Sequence, residues 1–349
     1  MKLEQNNIHT SFQINGKSFS SVDALLNYTK TISETIYQFL TDWFSDDDFI
    51  CVKTSGSTGK PKLIKLQKVN MINSALATGI FFDLKENTTA LLCLPTEYIA
   101  GKMMLIRAIV LGWKLDVIEA DSYPLKNSNK VYDFSAMVTL QLENSLDRLE
   151  KVKKLIVGGG VVAKELQNKL KSKTTQVFAT YGMTETITHI AVKKLNNLKI
   201  KPAFYHVLPN VTIYKNEDNC LVIDAQKVAE EIIFTNDVVA LISDTEFEWL
   251  GRFDNVINSG GIKLHPEKIE EKLLEIIEQR FFVAGIPDKK LGEKLVLVVE
   301  GNHQNISFKN ANLSKFEVPK EIYFVNEFIE TETKKIQRNK TLDLISFIR

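Results

Sequence analysis

Over residues 90–179, apolar runs of strand length alternate with helical stretches. The runs are apolar on both faces, whereas a strand with one face in water would alternate apolar and polar residues. Doubly buried strands that are separated by helices are typical of parallel sheets built from βαβ units. The strand-like runs lie at residues 90–94, 114–119, 136–140, 155–157 and 176–179, and residues 163–170 are predicted to form an intervening helix.

Other elements are predicted on either side of this alternation. They are a helix at residues 31–44, a hairpin of residues 211–214 and 221–224, a helix at residues 266–279, and strands at residues 281–286 and 294–299. The helix at 31–44 rests on apolar residues that recur on one face at a period of 3.6. A glycine-rich stretch at residues 251–261 separates the strand-rich region before it from the helix and two strands predicted after it. We therefore predict an α/β fold with mostly parallel sheets over residues 1–253 and a small, mobile α+β domain over residues 254–349.

Composition excludes several classes of protein. The 349 residues carry 44 Lys and Arg against 43 Asp and Glu, so the chain has no electrostatic footprint for nucleic acid. No apolar run reaches the ~18 residues of a membrane span, and the first residues lack the apolar core of a signal peptide. Cys51, Cys93 and Cys220 form no CxxC pair, so we expect neither structural zinc nor disulfides, and a cytoplasmic location.

The run TSGSTGKPK at residues 54–62 combines four hydroxyls, two glycines and two lysines. Glycine lets backbone N–H groups approach a phosphate closely, while hydroxyls and lysines add hydrogen bonds and charge. A P-loop would need Ser or Thr after its lysine to hold Mg²⁺, but Pro61 stands there. From composition alone, a phosphate-binding loop and a flexible surface loop both remain open. The candidate binding residues are Thr54, Ser55, Gly56, Ser57, Thr58, Gly59 and Lys60.

A second polar cluster, Tyr181-Gly182-Met183-Thr184-Glu185-Thr186, directly follows the last strand-like run. Open α/β sheets bind ligands at the carboxyl ends of their parallel strands, so this cluster is a candidate site. Tyr181 could stack on a base, Thr184 could bond a phosphate, and Glu185 could hold Mg²⁺. An ordinary strand-to-loop transition is the alternative interpretation.

These motifs resemble those of the acyl-adenylate-forming superfamily, which includes acyl- and aryl-CoA ligases, firefly-type luciferases and the adenylation domains of peptide synthetases. Residues 54–62 match its T-S-G-[ST]-T-G-x-P-K signature throughout. The resemblance covers roughly residues 50–340. It implies the fold of that superfamily with a shortened N-terminus, and ATP, Mg²⁺ and coenzyme A as participants. It also implies that Tyr181 and Gly182 bind the nucleotide, that Thr184 and Glu185 are catalytic, and that Glu185 holds the metal.

Two further segments resemble the family in the expected order. Phe234-Thr235-Asn236-Asp237 resembles a motif whose aspartate, here Asp237, binds the ribose hydroxyls, although Asn236 stands where glycine is usual. The segment at residues 251–263 resembles the family's hinge. That resemblance implies that Arg252 reaches the ribose or phosphate and that Asp254 is the pivot. It also implies that Gly260 and Gly261 line the pantetheine path. A plain glycine-rich linker is the alternative.

Two weaker matches complete the set. Gly158, Gly159 and Gly160 follow a strand-like run and resemble the loop that lies against adenine, although a βα turn would look the same. Residues 333–338 resemble a T-x-G-K-I-x-R segment, which makes Lys335 the catalytic lysine, although Lys334 replaces the usual glycine. A solvated, charged tail is the alternative for this stretch.

The resemblance implies an AMP-forming acid–CoA ligase. Residues 181–191 look like those of o-succinylbenzoate–CoA ligases of menaquinone biosynthesis, in which His189 would contact the acid; a core histidine on a strand is the alternative. Three other functions remain open: a CoA ligase for another aryl or short acyl acid, an adenylating enzyme that loads a carrier protein, and a non-catalytic nucleotide sensor. A homodimer that covers surface behind the shortened N-terminus is a further expectation.

Overall fold

The computed structural model describes residues 8–53, 63–198, 202–331 and 336–346. Within these residues the chain forms eight α-helices and twenty strands. The helices are α1 Val22–Ile32, α2 Glu34–Trp43, α3 Lys68–Phe82, α4 Ile99–Leu111, α5 Thr139–Asn144, α6 Lys164–Leu170, α7 Pro266–Leu273 and α8 Arg338–Ser346. The strands are β1 Gln13–Ile14, β2 Lys17–Ser18, β3 Phe49–Lys53, β4 Leu63–Gln67, β5 Thr89–Leu92, β6 Lys114–Val117, β7 Tyr132–Val138, β8 Val152–Gly158, β9 Gln176–Gly182, β10 His189–Lys194, β11 Tyr205–Val207, β12 Thr212–Lys215, β13 Cys220–Asp224, β14 Ile233–Ser243, β15 Glu246–Arg252, β16 Ile257–Ser259, β17 Ile262–Leu264, β18 Phe281–Asp288, β19 Gly292–Glu300 and β20 Glu321–Val325.

One large mixed sheet organises the first 252 residues. Its strand order is β12-β13-β14-β15-β11-β10-β9-β8-β7-β5-β6-β1-β2, while β3 and β4 form a separate hairpin. Neighbouring strands run parallel from β9 through β8, β7 and β5 to β6, and β1 continues parallel to β6. The α/β fold class and the predicted parallel core are therefore confirmed.

The other half of the sheet corrects the expectation of mostly parallel strands. Every strand pair from β9 to β10 onward, through β11, β15, β14 and β13 to β12, is antiparallel. Within the described residues, no α-helix lies between successive strands from β9 to β15. A parallel pair needs a crossover of about a dozen residues or more, usually a helix, whereas short connections join antiparallel neighbours.

Helices cover both faces of the parallel strands. In β5, Ala90 belongs to the buried cluster that includes Met104 of α4, while Leu91 belongs to the cluster that includes Leu166 of α6. Successive residues of a strand point to opposite faces, so each strand contributes to two cores. This explains why the runs at residues 90–179 are apolar throughout.

The helix predicted at residues 31–44 is α2, which begins only at Glu34, because residues 31 and 32 end the separate helix α1. Ser33 has extended backbone angles (φ −164°, ψ 122°), which ends α1 and begins α2. Its hydroxyl accepts the Ile36 N–H at 3.4 Å, so the residue acts as an N-cap. The apolar face of α2 is buried as expected, through Ile36, Phe39 and Trp43.

A separate five-stranded sheet forms after residue 256. Strand β19 pairs with β18, β16 and β20, and α7 and α8 pack on its opposite faces. Helix α7 ends at Leu273 rather than at residue 279, because the next residues tighten into a turn in which Ile276 N–H bonds to Leu273 C=O. Sheet membership changes between Arg252, the last residue of β15, and Ile257, the first residue of β16, and the domain division at residue 253 stays a prediction. In the described part of the chain, no helix combines the length and the apolar character of a membrane crossing.

Candidate active site

The parallel and antiparallel halves of the large sheet meet at the turn between β9 and β10. Gly182 at the end of β9 lies opposite His189 at the start of β10. A Cβ atom on Gly182 would lie 2.1 Å from the Thr188 carbonyl oxygen, so only glycine allows this approach. The predicted motif Tyr181–Thr186 therefore lies at the carboxyl end of a central strand, where α/β sheets bind ligands.

The three predicted glycines of the neighbouring strand lie at the same edge. Gly158 ends β8, and a Cβ atom there would lie 2.8 Å from the Thr180 hydroxyl of β9. Gly159 has φ +84°, a conformation that favours glycine, and Gly160 follows in the bend. The structure thus places Gly158–Gly160 beside the strand that carries Tyr181.

Tyr181 is joined to the predicted ribose-binding carboxylate. Its hydroxyl donates a hydrogen bond to Asp237 Oδ2 at 2.6 Å. Burial and the Asp237 charge both raise the pKa of Tyr181, so the phenol keeps its proton and acts as the donor. The Tyr181 ring packs edge-on against Phe247 and Tyr205, with centroid distances of 5.2 and 5.8 Å. The aromatic ring and the carboxylate are thereby held as one unit.

Asp237 is buried and is bound on both oxygens. Besides the Tyr181 bond, its Oδ1 accepts the Trp249 Nε1–H at 3.1 Å, and Arg252 Nη1 lies 3.7 Å away. Asp237 and Arg252 are paired in register on β14 and β15. Two residues that are 15 positions apart in sequence are therefore neighbours on adjacent strands.

The predicted hinge residue Asp254 adjoins this group. Its Oδ2 accepts Asn236 Nδ2 at 3.2 Å and lies 3.5 Å from Arg252 Nη2. Asn236 occupies the position where the family usually has glycine, and here its side chain bonds to the hinge. The structure thus brings together Arg252, Asp237 and Asp254 from two separate motifs.

The turn that carries Thr184 and Glu185 is strained. Thr184–Thr186 form one turn of 3₁₀-helix, and Ile187 follows with φ +66° and ψ −65°. A β-branched residue at positive φ is a genuine outlier, and such strain clusters at functional sites. The buried Thr186 hydroxyl holds the turn by bonding to the Thr188 carbonyl oxygen at 2.8 Å. Glu185 points into solvent, and its side chain has no hydrogen bond or ion pair within the described residues.

Behind this turn lies Arg107, a buried arginine that has no carboxylate partner among the described residues. The side chain is 2% exposed, and within the described residues its guanidinium bonds only to Thr188 Oγ1 at 3.2 Å, Thr78 Oγ1 at 3.3 Å and Met104 Sδ at 3.8 Å. Burial lowers its pKa to about 9, which still leaves it charged near neutral pH. An unpaired buried charge is costly, so this position favours an anion that the described chain does not supply.

His189 adjoins the same hydroxyl. Its Nδ1 lies 3.4 Å from Thr188 Oγ1, while its Nε2 is buried without a partner in the described structure. Burial, with a smaller contribution from Arg107, lowers the pKa of His189 well below its usual value, so the ring is neutral. A narrow groove lined by Ser74, Ala77 and Val228 reaches His189 from the side of α3. The arrangement leaves a neutral imidazole and a cation beside the strained turn.

Several predicted site residues are not brought into this group. Gly260 and Gly261 form the turn between β16 and β17, both at positive φ, and within the described residues neither contacts Tyr181 or Asp237. Thr54, Ser55, Gly56, Ser57, Thr58, Gly59, Lys60 and Lys335 lie outside the described residues. Their roles remain predictions from the sequence.

Two residues of the group were missed by the sequence argument. Arg107 could have been noticed, because it is the single charged residue in the otherwise apolar run Met103–Ile109, and a charge in a buried helix needs a partner. Trp249 carries no such signal, since an aromatic residue in a strand is ordinary. Only the pairing of β14 with β15 places its indole N–H on Asp237.

Comparison with known proteins decides the family. The model of the AMP-binding enzyme family matches residues 12–231, which is more than half of the chain. The chain belongs to the AMP-binding enzyme family. In this AMP-binding enzyme, the motif residues Gly158 and Tyr181 are among those inside the matched range, while Asp237 and Arg252 lie beyond its end.

Similar proteins include curated and structurally solved AMP-binding enzymes. The 2-succinylbenzoate–CoA ligase of Geobacillus sp. (strain WCH70) is 27% identical over 363 residues, covering 90% of this chain and 72% of that protein. The acyl-CoA synthetase (AMP-forming)/AMP-acid ligase II-like protein of Dyadobacter fermentans DSM 18053 is 35% identical, with a TM-score of 0.62 over 89% of this chain and 93% of its own.

The o-succinylbenzoate CoA synthetase of Bacillus subtilis shares the fold. Its complex with the acyl-adenylate intermediate OSB-AMP has a TM-score of 0.71 at 21% identity, over 83% of this chain and 68% of that one. Its complex with ATP and magnesium ion has a TM-score of 0.72 at 18% identity, over 93% and 82%. The acyl-adenylate-forming enzyme fold expected from the sequence is therefore confirmed.

Proposed function

We propose that this AMP-binding enzyme joins a carboxylic acid to coenzyme A through an acyl-adenylate, using ATP and Mg²⁺. The observation that carries the proposal is the Tyr181–Asp237 hydrogen bond of 2.6 Å, which unites two family motifs at the carboxyl edge of the sheet. Asp237 has the residue type that accepts two ribose hydroxyls, and Arg252 supplies positive charge beside it. The related CoA ligases support the same activity.

The reaction has two balanced steps. In the first, an oxygen of the substrate carboxylate bonds to the α-phosphorus of ATP, and the bond to the pyrophosphate oxygen breaks. In the second, the sulfur of coenzyme A bonds to the acyl carbon, AMP leaves, and the thiol proton passes to solvent. No general base is needed for the first step, since the carboxylate is already ionised at neutral pH. Catalysis is then mainly positioning and electrostatic stabilisation, which we assign to Lys335, Thr184 and residues 54–60.

Glu185 fits a role in holding Mg²⁺. Its carboxylate is exposed at the strained turn and makes no bond within the described residues, and carboxylate oxygen is the ligand type that Mg²⁺ prefers. The described residues contain no group of three acidic, histidine or cysteine side chains that could hold an ion unaided. Bound with the phosphates of ATP, the ion would neutralise negative charge on them.

We infer that the acid carries a second carboxylate, and that o-succinylbenzoate is the substrate. Arg107 is a buried cation that has no anionic partner among the described residues. The Thr188 hydroxyl oxygen contacts both Arg107 and His189, near the end of the Tyr181 motif. A dicarboxylic acid can give one carboxylate to ATP and the other to Arg107. The similar ligases of Geobacillus sp. (strain WCH70) and Bacillus cytotoxicus act, by name, on such an acid. A cytoplasmic location, supported by three unpaired cysteines, and a homodimer are further inferences.

The test is pyrophosphate release with ATP, Mg²⁺ and a panel of acids, with and without coenzyme A. The panel contains o-succinylbenzoate and two analogues that each lack one carboxylate, 4-oxo-4-phenylbutanoate and 2-butyrylbenzoate. We expect release with o-succinylbenzoate, CoA-dependent AMP formation, and weak release with both analogues. Release with a different acid would keep the reaction class and remove this substrate. If repeated turnover of pyrophosphate release needs a carrier-protein thiol in place of coenzyme A, the protein is a carrier-loading enzyme.

A further inference from the structure

Two described residues that lie on either side of Lys335 in the sequence, Glu330 and Ile336, are paired in the small domain. Glu330 and Ile336 form an antiparallel bridge. Gln337 reinforces it, because its backbone N–H bonds to the Ile329 carbonyl oxygen at 2.8 Å and its side-chain amide bonds to the Glu330 carbonyl oxygen at 2.9 Å. The two residues at which the chain leaves and returns are therefore held side by side.

Arg338 connects the returning end to the core of the small domain. Its Nη1 lies 2.8 Å from Glu270 Oε1 and its Nη2 donates to Glu270 Oε2 at 2.9 Å, so the ion pair is bidentate. Nη1 also donates to the Val283 carbonyl oxygen at 3.0 Å, and the guanidinium lies over the Phe282 ring. Arg338 thus ties the first residue of α8 to α7 and β18 at once.

Glu270 is itself fixed in place. Its Oε1 accepts the Val283 backbone N–H at 2.8 Å, so the carboxylate cannot turn away without leaving that donor unpaired. Burial raises the pKa of Glu270 to about 7, and Arg338 is the largest influence that opposes this shift. Above neutral pH the carboxylate is ionised and the fork geometry of the arginine is fully matched.

The alternative is that the pair only stabilises the small domain. A buried apolar side chain at residue 338 would pack against Phe282 as well, and it would not need a partner on α7. The bidentate pair differs because both guanidinium nitrogens are bonded to Glu270, which fixes the orientation of the Arg338 side chain three residues after Lys335. A structural pair affects every activity of the enzyme equally, whereas a positioning pair affects only the step that uses Lys335.

We propose that Arg338 and Glu270 are positioning residues for Lys335, and that the first half-reaction depends on their bidentate contact. The proposal rests on the proposed function, in which Lys335 serves the adenylation step and the thioester step proceeds without it. Neither Arg338 nor Glu270 touches a substrate in this arrangement. Their effect passes through the backbone between residues 336 and 338.

The test measures the two half-reactions separately at pH 8. Adenylation is followed as single-turnover pyrophosphate release, and thioester formation is followed from purified acyl-adenylate and coenzyme A. Arg338→Met is expected to slow adenylation at least about 30-fold while thioester formation stays within about threefold. Glu270→Gln, which keeps an oxygen for Val283 N–H but loses the charge, and Arg338→Lys, which loses the fork, should give smaller losses in the same direction.

Lys272→Met is the matched control. Lys272 bonds to both carboxylate oxygens of Glu317 at 2.7 Å in the same domain, yet it has no contact with the Lys335 segment in the described structure. Its removal should leave the ratio of the two half-reaction rates unchanged. Lys335→Ala supplies the reference ratio that Arg338→Met should approach.

The outcomes distinguish a failure of the positioning role from a failure of the proposed function. Equal slowing of both half-reactions in the Arg338 and Glu270 variants, or no slowing of adenylation in soluble folded variants, would overturn the positioning role. Should Arg338→Met fail to fold, Arg338→Lys and Glu270→Gln decide by the same ratio. An unmutated protein that adenylates no acid would instead remove the proposed function.

Discussion

The Tyr181 hydroxyl donates a hydrogen bond of 2.6 Å to the carboxylate of Asp237, 56 residues further along the chain. The bond crosses from the end of a central parallel strand to the antiparallel half of the sheet. It holds the ring that is expected to meet adenine in a fixed relation to the carboxylate that is expected to bind ribose. We therefore expect the proposed nucleotide site to be organised before ATP binds.

Replacing Tyr181 with Phe should weaken ATP binding while keeping the ring. Loss of a hydrogen bond to a charged group costs about 1.5–3 kcal/mol, but Trp249 still holds the other oxygen of Asp237. We therefore expect the KM for ATP to rise roughly tenfold, about 1.4 kcal/mol, with little change in kcat. Tyr205→Phe is the control, because Tyr205 packs on the same ring and its hydroxyl makes no hydrogen bond within the described residues. Equal effects of the two variants would contradict the prediction.

Replacing Arg107 with Met should remove the preference for a dicarboxylic acid. The kcat/KM for o-succinylbenzoate relative to 4-oxo-4-phenylbutanoate and 2-butyrylbenzoate should fall about 100-fold, since a buried charged contact contributes roughly 3 kcal/mol. Lys102→Met, which removes another cation from α4, should leave the preference intact. An unchanged preference in Arg107→Met would show that the second carboxylate binds elsewhere.

The Arg107→Met variant should lose substrate preference but should not lose stability. Without ligand, Arg107 is a buried charge that has no carboxylate partner among the described residues, so Arg107→Met should unfold in urea at no lower a concentration than the unmodified protein. Addition of o-succinylbenzoate should raise the Tm of the unmodified protein and leave that of the variant unchanged. A variant that is destabilised by several kcal/mol would identify Arg107 as a structural residue.

His189 should make the fold sensitive to acid. Its pKa is lowered well below 6.5 in the folded protein, so below about pH 6.5 the unfolded chain binds a proton that the folded chain does not. Stability from this group is present above that pH and is lost as the pH falls. Between pH 7.5 and 5.5 the unmodified protein should lose about 1.4 kcal/mol more than His189→Gln, as measured by urea unfolding. Parallel losses in the two proteins would exclude a neutral buried histidine.

Gly182 should tolerate no side chain. A Cβ atom would lie 2.1 Å from the Thr188 carbonyl oxygen, and backbone atoms cannot yield as a flexible side chain can. We expect Gly182→Ala to destabilise the fold by roughly 2–4 kcal/mol in denaturant unfolding. Gly16→Ala is the control, because Gly16 has positive φ but open space around it, and it should cost only about 1–2 kcal/mol. A smaller loss at Gly182 than at Gly16 would mean that the β9–β10 turn can shift.

The sequence by itself determined the features that depend on local chemistry. The runs that are apolar on both faces identified the parallel strands, because each of these strands is buried on both faces. The hairpin around residue 216 was identified from the polar residues that separate two strand-like runs. The candidate residues at the strand ends, Tyr181 and Gly158 among them, were identified from their positions after strand-like runs and from their resemblance to family motifs. Each of these inferences needs only the residues within one element and its immediate neighbours.

Tertiary structure alone decided the relationships that join distant parts of the chain. The break at Ser33, the antiparallel half of the sheet and the indole of Trp249 on Asp237 all depend on which strands and helices become neighbours. The same is true of Arg107 beside Thr188, which are 81 residues apart. Spacing in sequence carries no information about such contacts. They arise because the packing of apolar faces buries polar groups from distant parts of the chain near one another, where they form hydrogen bonds in place of those with water.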